Sequence, residues 1–160
     1  MATIHRQENV DNLTSFTSIL DGLNAVATEF HLPVIYPIHP HSRKRMNEFN
    51  LEPQKVTLLE PVDFLSFLEL ESNARLILTD SGGVQEEACI IGVPCVTLRD
   101  STERPETIEV GANILAGTSS DKVLECLQIM LSRQNTWVNP FGDGKAGERI
   151  VGIIMEGKHG

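Results

Sequence analysis

The sequence predicts an α/β fold in which a doubly wound parallel sheet carries helices on both faces, and three observations lead there. Short apolar runs alternate along the chain with stretches of helical periodicity. Those runs are continuous, without the in–out alternation of a sheet wetted on one side, so each strand is expected to be buried on both faces. The joins are short, with no internal repeat, low-complexity segment or linker, so right-handed crossovers close each strand–helix–strand unit.

Residues 11–30 place Leu13, Phe16, Ile19, Leu20, Leu23, Val26, Ala27 and Phe30 at helical spacing, behind Asp11 or Asn12 as cap. Residues 33–37 form a short extended run, 42–49 a basic helix and 56–59 a strand. Residues 63–71 follow an aspartate cap and hold Phe64, Leu65, Phe67 and Leu68 at helical spacing. A strand at 75–79, a helix at about 83–91 and a strand at 95–98 come next. A short helix, a strand around 113–115 and helices at 121–133 and 143–156 complete the pattern. About six parallel strands in one Rossmann-like domain spanning 1–160 are expected, with ligands bound beyond the strands' carboxyl ends.

Composition narrows the function. A net charge of −9 opposes a DNA- or RNA-binding surface, which needs a basic face. It does not oppose binding a single nucleotide, since a local site can be rich in N–H groups while the whole is acidic. The most apolar stretch, 88–98, is too short for a membrane span and is broken by Gly92 and Pro94, and the amino terminus has no apolar signal core. Cys89, Cys95 and Cys126 are odd in number and lack CxxC spacing, so they read as buried thiols of a cytoplasmic protein, with no metal and no cofactor expected.

Four segments, with His39, His41 and Phe67 beside them, could carry chemistry. In Leu76-Ile77-Leu78-Thr79-Asp80-Ser81-Gly82-Gly83-Val84-Gln85-Glu86-Glu87-Ala88 an apolar strand runs through a Gly-Gly turn into a helix. Glycines admit a ligand to the backbone, and the first helical N–H groups suit an anion such as a diphosphate. A tight turn with acids complementing the helix dipole accounts for the same residues. In 99–106, Arg99 and Arg104, interleaved with Glu103 and Glu106, could place cationic forks at the same edge, or Ser101, Thr102 and Pro105 could simply open a helix. At the chain start, His5 and Arg6 stand beside Glu8 and Asn9, suited to proton transfer or phosphate neutralisation, or incidental at a terminus. His39 and His41 flank Pro40 without a carboxylate or cysteine cluster, which favours a phosphate or loop role over metal. Residues 139–146 read first as a shaped loop opening the last helix. Phe67 is either a core residue or a ring against which a base packs.

Taken together, Thr3-x-His5-Arg6-x-Glu8-Asn9, Thr79-Asp80-Ser81-Gly82-Gly83-Val84-Gln85-Glu86-Glu87-Ala88, Thr102-Glu103-Arg104-Pro105-Glu106 and Asn139-Pro140-Phe141-Gly142-Asp143-Gly144-Lys145-Ala146 resemble, in order and spacing, the carboxyl-terminal half of UDP-N-acetylglucosamine 2-epimerases. The resemblance runs essentially end to end. It implies a glycosyltransferase-B-type architecture, with UDP-sugar between two Rossmann-like halves, and inversion of C2 of UDP-GlcNAc to give UDP-ManNAc. UDP leaves as the C2 proton is removed and then adds back, a step in polysaccharide biosynthesis.

By the same resemblance Ser81, Gly82 and Gly83 hold the diphosphate, Glu87 binds the ribose hydroxyls, and Arg104 and the catalytic His5 face the phosphates. Phe67 lies near uracil, and Arg6 and His39 match positions of a second, regulatory UDP-GlcNAc. The acid/base carboxylates belong to the amino-terminal half, expected here as a missing domain or separate subunit. The exposed cleft face is expected to contact another chain, as in a homodimer. A stand-alone UDP-sugar-binding or regulatory module and a hydrolysing epimerase remain open as alternatives.

Overall fold

The computed structural model describes residues 1–156. Strand β1 (Ala2–Thr3) leads into a single helical turn, α1 (Gln7–Val10), which the apolar periodicity does not reveal. Asp11 ends that turn, so the cap of α2 (Leu13–Glu29) falls to Asn12, whose Oδ1 accepts the Ser15 N–H at 3.0 Å. Next come β2 (Val34–Pro37), α3 (Pro40–Glu48) and β3 (Val56–Leu59). Helix α4 (Phe64–Ser72) is capped by Asp63, which accepts the N–H groups of Leu65 and Ser66.

Strand β4 (Ile77–Thr79) passes through Asp80 and Ser81 into α5 (Gly82–Ile91), and Gly92, at φ 82°, ends that helix in the left-handed conformation. Strand β5 (Cys95–Thr97), α6 (Pro105–Glu109), β6 (Asn113–Leu115), α7 (Ser120–Ser132) and α8 (Ala146–Glu156) follow. The last helix starts three residues later than its sequence suggests. Gly142 and Gly144 have φ of 94° and 78°, and the Asp143 carboxylate is spent on the Lys145 N–H in the turn between.

All strand pairings are parallel, but they form two ladders: β1-β4-β5-β6 and β2-β3. With β1 lying beside β2, the spatial order is β3-β2-β1-β4-β5-β6, that of a doubly wound sheet. The six expected parallel strands are present, with the hydrogen-bonded ladder interrupted between β1 and β2. Strand β1 is short, and the carbonyl of Ile4 just beyond it accepts the Tyr36 hydroxyl at 2.5 Å and the Ser42 hydroxyl at 2.6 Å.

The two sheet faces bury different cores, as the period of two in a strand requires. Leu78 and Val96 point to the face covered by α2 and α7, among Phe16, Ile19, Leu23, Leu127 and Met130. Their neighbours Ile77 and Cys95 point the other way, against Val84 and Ala88 of α5 with Phe67 of α4 at the margin. Each large apolar side chain buried in this way stabilises the fold by about 1.5–3 kcal/mol. With helices on both faces, the carboxyl edge of the strands is where such a sheet places its ligand site.

The shared Ile4 carbonyl gives a test. Tyr36→Phe or Ser42→Ala alone should cost about 1 kcal/mol, because the other hydroxyl still satisfies the carbonyl, whereas the double variant strands a buried acceptor and should cost more than the sum. Urea unfolding of the three variants measures this, and strict additivity would show the two bonds to be independent.

Candidate functional site

The carboxyl edge is organised around Asp80, which has no solvent exposure. Its carboxylate accepts the backbone N–H of His5 at 3.1 Å to each oxygen, the N–H of Arg6 at 3.0 Å and the side-chain amide of Asn9 at 3.0 Å. The Asn9 amide also donates to the Leu98 carbonyl at 3.1 Å, which draws in the end of β5. Charge-assisted bonds of this kind are the strong ones in a protein interior. They fasten the β1–α1 segment to the β4–α5 turn, residues far apart in sequence. The Thr3 and Thr79 hydroxyls, 2.6 Å apart, add a further bolt at the same level.

His5 Nδ1 lies 3.4 Å from the same carboxylate. Burial lowers its pKa most; Asp80 opposes that shift, while His39 and Arg6 add to it. The imidazole is therefore held toward its neutral form, beside a carboxylate able to receive its N–H.

Ser81 stands at the N-cap of α5 in extended conformation, but its hydroxyl caps no helical N–H. The first turn of α5 thus presents backbone N–H groups at Gly82 and Gly83 together with an uncommitted hydroxyl, the composition of an anion site. A Cβ built on Gly82 would lie 3.7 Å from Glu103 Oε2 and 3.9 Å from Arg6 Nη2, so a side chain there would enter the space between that carboxylate and that guanidinium. Arg99 grips Glu103 with two N–H···O bonds of 2.7 and 3.0 Å and reaches Glu8 at 2.6 Å. Arg99's hydrogen bonds pull the Glu103 pKa down to about 2.

Arg104 pairs through Nε with Glu86 of α5. A buried polar chain sets its position. Gln85 Oε1 accepts the Thr102 hydroxyl at 2.5 Å, Thr102 Oγ1 accepts the Arg104 N–H at 2.9 Å, and the Asn113 amide donates to Thr107 at 3.0 Å.

Beside the turn is a cleft of about 310 Å³ whose walls include His5, Ile38, His39, Phe67 and Val84. The His5 and His39 rings are 5.7 Å apart. The fold thus brings His5, His39 and Phe67 into one cleft, and puts Arg6, Ser81, Gly82, Gly83 and Arg104 along the adjoining edge. His39 also has a local duty, since its Nδ1 accepts the His41 N–H at the start of α3. Glu87 is half-buried on α5 and faces Glu71 of α4. Residues 139–146 form a shaped loop bonded within itself: Asn139 spans it to Phe141 and Gly142.

The functional reading of the sequence missed Asp80 as the organiser. The available signal was an acid directly after a buried strand, with donor-rich residues 5–9 expected at the same edge. It also missed Glu71, which periodicity alone counts as one more surface glutamate.

A family model described as UDP-N-acetylglucosamine 2-epimerase matches residues 1–155. This chain belongs to that family. A UDP-N-acetylglucosamine 2-epimerase of Methanocaldococcus jannaschii is 52% identical over 164 residues, covering 99% of this chain and 45% of the relative. The crystal structure of the M. jannaschii enzyme in complex with UDP-GlcNAc and UDP superposes with a TM-score of 0.90, covering 97% of this chain and 44% of that one. The Neisseria meningitidis enzyme bound to UDP-GlcNAc gives 0.81 at 31% identity, over 97% of this chain and 44% of that one. An Escherichia coli heptosyltransferase, at 9% identity and a TM-score of 0.57, covers 80% of this chain and 42% of that one and shares the fold alone. The chain therefore spans somewhat less than half the length of the relatives it matches.

His5 supplies the acid-side test. Its folded pKa lies below the ordinary 6.5, so the unfolded state binds more protons as pH falls. The His5 contribution to stability is present above about pH 6.5 and lost as pH drops through the folded value. A ring-proton NMR titration should give a midpoint below that of free histidine, and His5→Gln should flatten the acid limb of the unfolding profile. An ordinary midpoint would contradict this electrostatic picture.

Proposed function

We propose that the chain is the UDP-binding, carboxyl-terminal half of a UDP-N-acetylglucosamine 2-epimerase, forming one Rossmann-like domain across 1–160. The observation that carries the reading is the unsatisfied start of α5, where Ser81, Gly82 and Gly83 stand open beside Arg6 and Arg104. In this reading those N–H groups and the Ser81 hydroxyl hold the diphosphate, with Arg104 exchanging part of its contact with Glu86 for a phosphate oxygen. Phe67, in the cleft wall, packs on uracil, and Glu87 receives the ribose hydroxyls. His5, neutral and backed by Asp80, donates to the departing diphosphate. Arg6 and His39 serve a second, regulatory UDP-GlcNAc.

The relatives' names support a division of labour. One similar protein, from Pseudomonas aeruginosa and 38% identical, is a UDP-2,3-diacetamido-2,3-dideoxy-D-glucuronate 2-epimerase, so the named sugars differ while UDP is common. This half then supplies the nucleotide grip and leaving-group stabilisation, and an amino-terminal half, as domain or subunit, supplies the sugar contacts and the carboxylates that move the C2 proton.

Helix α8 supports the need for that partner. Ile150, Val151, Ile153, Ile154 and Met155 are each more than half exposed, an apolar face with nothing covering it among the described residues. A second copy of the chain is the competing occupant, and light scattering distinguishes a homodimer from a monomer. Three buried thiols and the absence of a long apolar helix among the described residues agree with work in the cytoplasm.

Calorimetry with UDP should give a dissociation constant on the order of 0.1–1 mM, weakened because the opposing wall is absent and the cleft is wet. Arg104→Ala should weaken it further by about 1–3 kcal/mol. The chain alone should leave UDP-GlcNAc unchanged, and adding a homologous amino-terminal half should yield UDP-ManNAc. Conversion by the chain alone would show that the proton-transfer groups lie here, and release of free sugar would mark a hydrolysing enzyme.

A further inference from the structure

Two carboxylates among the described residues have no solvent exposure, Asp80 and Glu71. Asp80 is surrounded by donors, but no donor group among the described residues reaches either oxygen of Glu71. An ionised carboxylate in that position is strongly unfavourable, so the group must be neutral or find a donor. Glu71 lies on α4 one turn beyond Phe67, and positions four apart share a helix face. The charged group that acts on it is Glu87 of α5.

The other titratable groups around it supply no charge. The Cys95 thiol of β5 and the Cys89 thiol of α5 are both pushed up by burial and stay protonated. The Met1 amino group, in the same apolar cluster, donates to the Leu76 carbonyl at 3.0 Å, and burial lowers its pKa to about 6, so it is uncharged at neutral pH. On the α5 side, Arg104 is engaged by Glu86.

We propose that Glu71 and Glu87 share one proton, and that the protonated Glu71 carboxyl donates it in a hydrogen bond that fixes the Glu87 carboxylate for its ligand. Glu71 is a positioning residue in this scheme. The ligand-facing part rests on the UDP-binding reading; the shared proton does not. Burial first, and the neighbouring Glu87 charge second, push Glu71 up to about 8, so the pair keeps its proton at neutral pH. The same helix pair then couples the Phe67 platform to the Glu87 acceptor, since both α4 residues lie on one face.

The sign of the pH dependence follows. The folded pKa is raised, so the stability contribution is complete below the ordinary value of 4.5 and lost as pH rises to about 8. Above that, a second negative charge faces Glu87 and α4 and α5 are pushed apart. UDP affinity should fall with it, in a range where the terminal phosphate of UDP, with its second ionisation at about 6, is already almost fully ionised and the uracil N3–H still largely holds its proton.

The test combines a carboxyl ¹³C-NMR titration with UDP calorimetry from about pH 7 to about pH 9, below the ionisation of the uracil N3–H, on the native chain, Glu71→Gln, Glu71→Met and Glu87→Gln. One glutamate should titrate near 8 in the native chain, vanish in Glu71→Gln and move down in Glu87→Gln. Glu71→Gln, which still donates, should bind UDP like the native chain at neutral pH and lack the alkaline loss. Glu71→Met fits the apolar pocket but cannot donate, and should bind about three- to tenfold more weakly with a flat profile. A Glu71 midpoint in the ordinary carboxylate range, or the same alkaline loss in Glu71→Gln, would overturn the proposal. If UDP gives no heat at neutral pH while Glu71 titrates near 8 and falls in Glu87→Gln, the shared proton stands and the UDP-binding reading fails instead.

Discussion

An ionised carboxylate cut off from water is tolerated only when several donors converge on it, and Asp80 meets that condition with backbone and side-chain N–H groups of residues 5–9. The constraint acts on both partners. The short β1 strand has little ladder of its own, so the segment after it takes its place from Asp80. The β4–α5 turn, for its part, is held with its N–H groups facing outward. Every other feature of the edge is built on that junction: the His5 ring in the cleft, Arg6 over Gly82, and Asn9 reaching to the end of β5.

Charge at this edge is stored in pairs. Arg99 and Arg6 hold Glu103, and Arg104 holds Glu86, so an acidic chain keeps its cations at the carboxyl edge without leaving them unbalanced. In the proposed reading an arriving diphosphate competes with these carboxylates instead of meeting bare cations. Partly exposed pairs are worth little in water, so the exchange is inexpensive, and it becomes more favourable once a second domain closes the cleft and excludes solvent. The apolar face of α8 and the open cleft agree with the proposal of a half-site that a partner completes.

Much of this was legible in the residues. The continuous apolar runs at 76–79 and 95–98 gave the buried parallel strands, and Ser81-Gly82-Gly83 marked the turn, because strand burial and glycine geometry are local properties. The ladder break at Ile4 was not legible, since it depends on Tyr36 and Ser42 reaching the same carbonyl across long stretches of chain. The late start of α8 came from two positive-φ glycines overriding an otherwise good cap at Asp143. Asp80 and Glu71 were beyond sequence reasoning for a common reason: their roles are set by which donors or carboxylates the tertiary fold brings opposite them.

Amide hydrogen exchange in Asp80→Asn tests the central claim most directly, because the asparagine keeps the size of the side chain but removes its charge and one acceptor. Exchange at His5 and Arg6 should accelerate by about tenfold or more while the amides pairing β4 with β5 keep their protection, showing a released segment on an intact sheet. Unchanged protection at His5 and Arg6 would mean that something other than Asp80 holds the edge together.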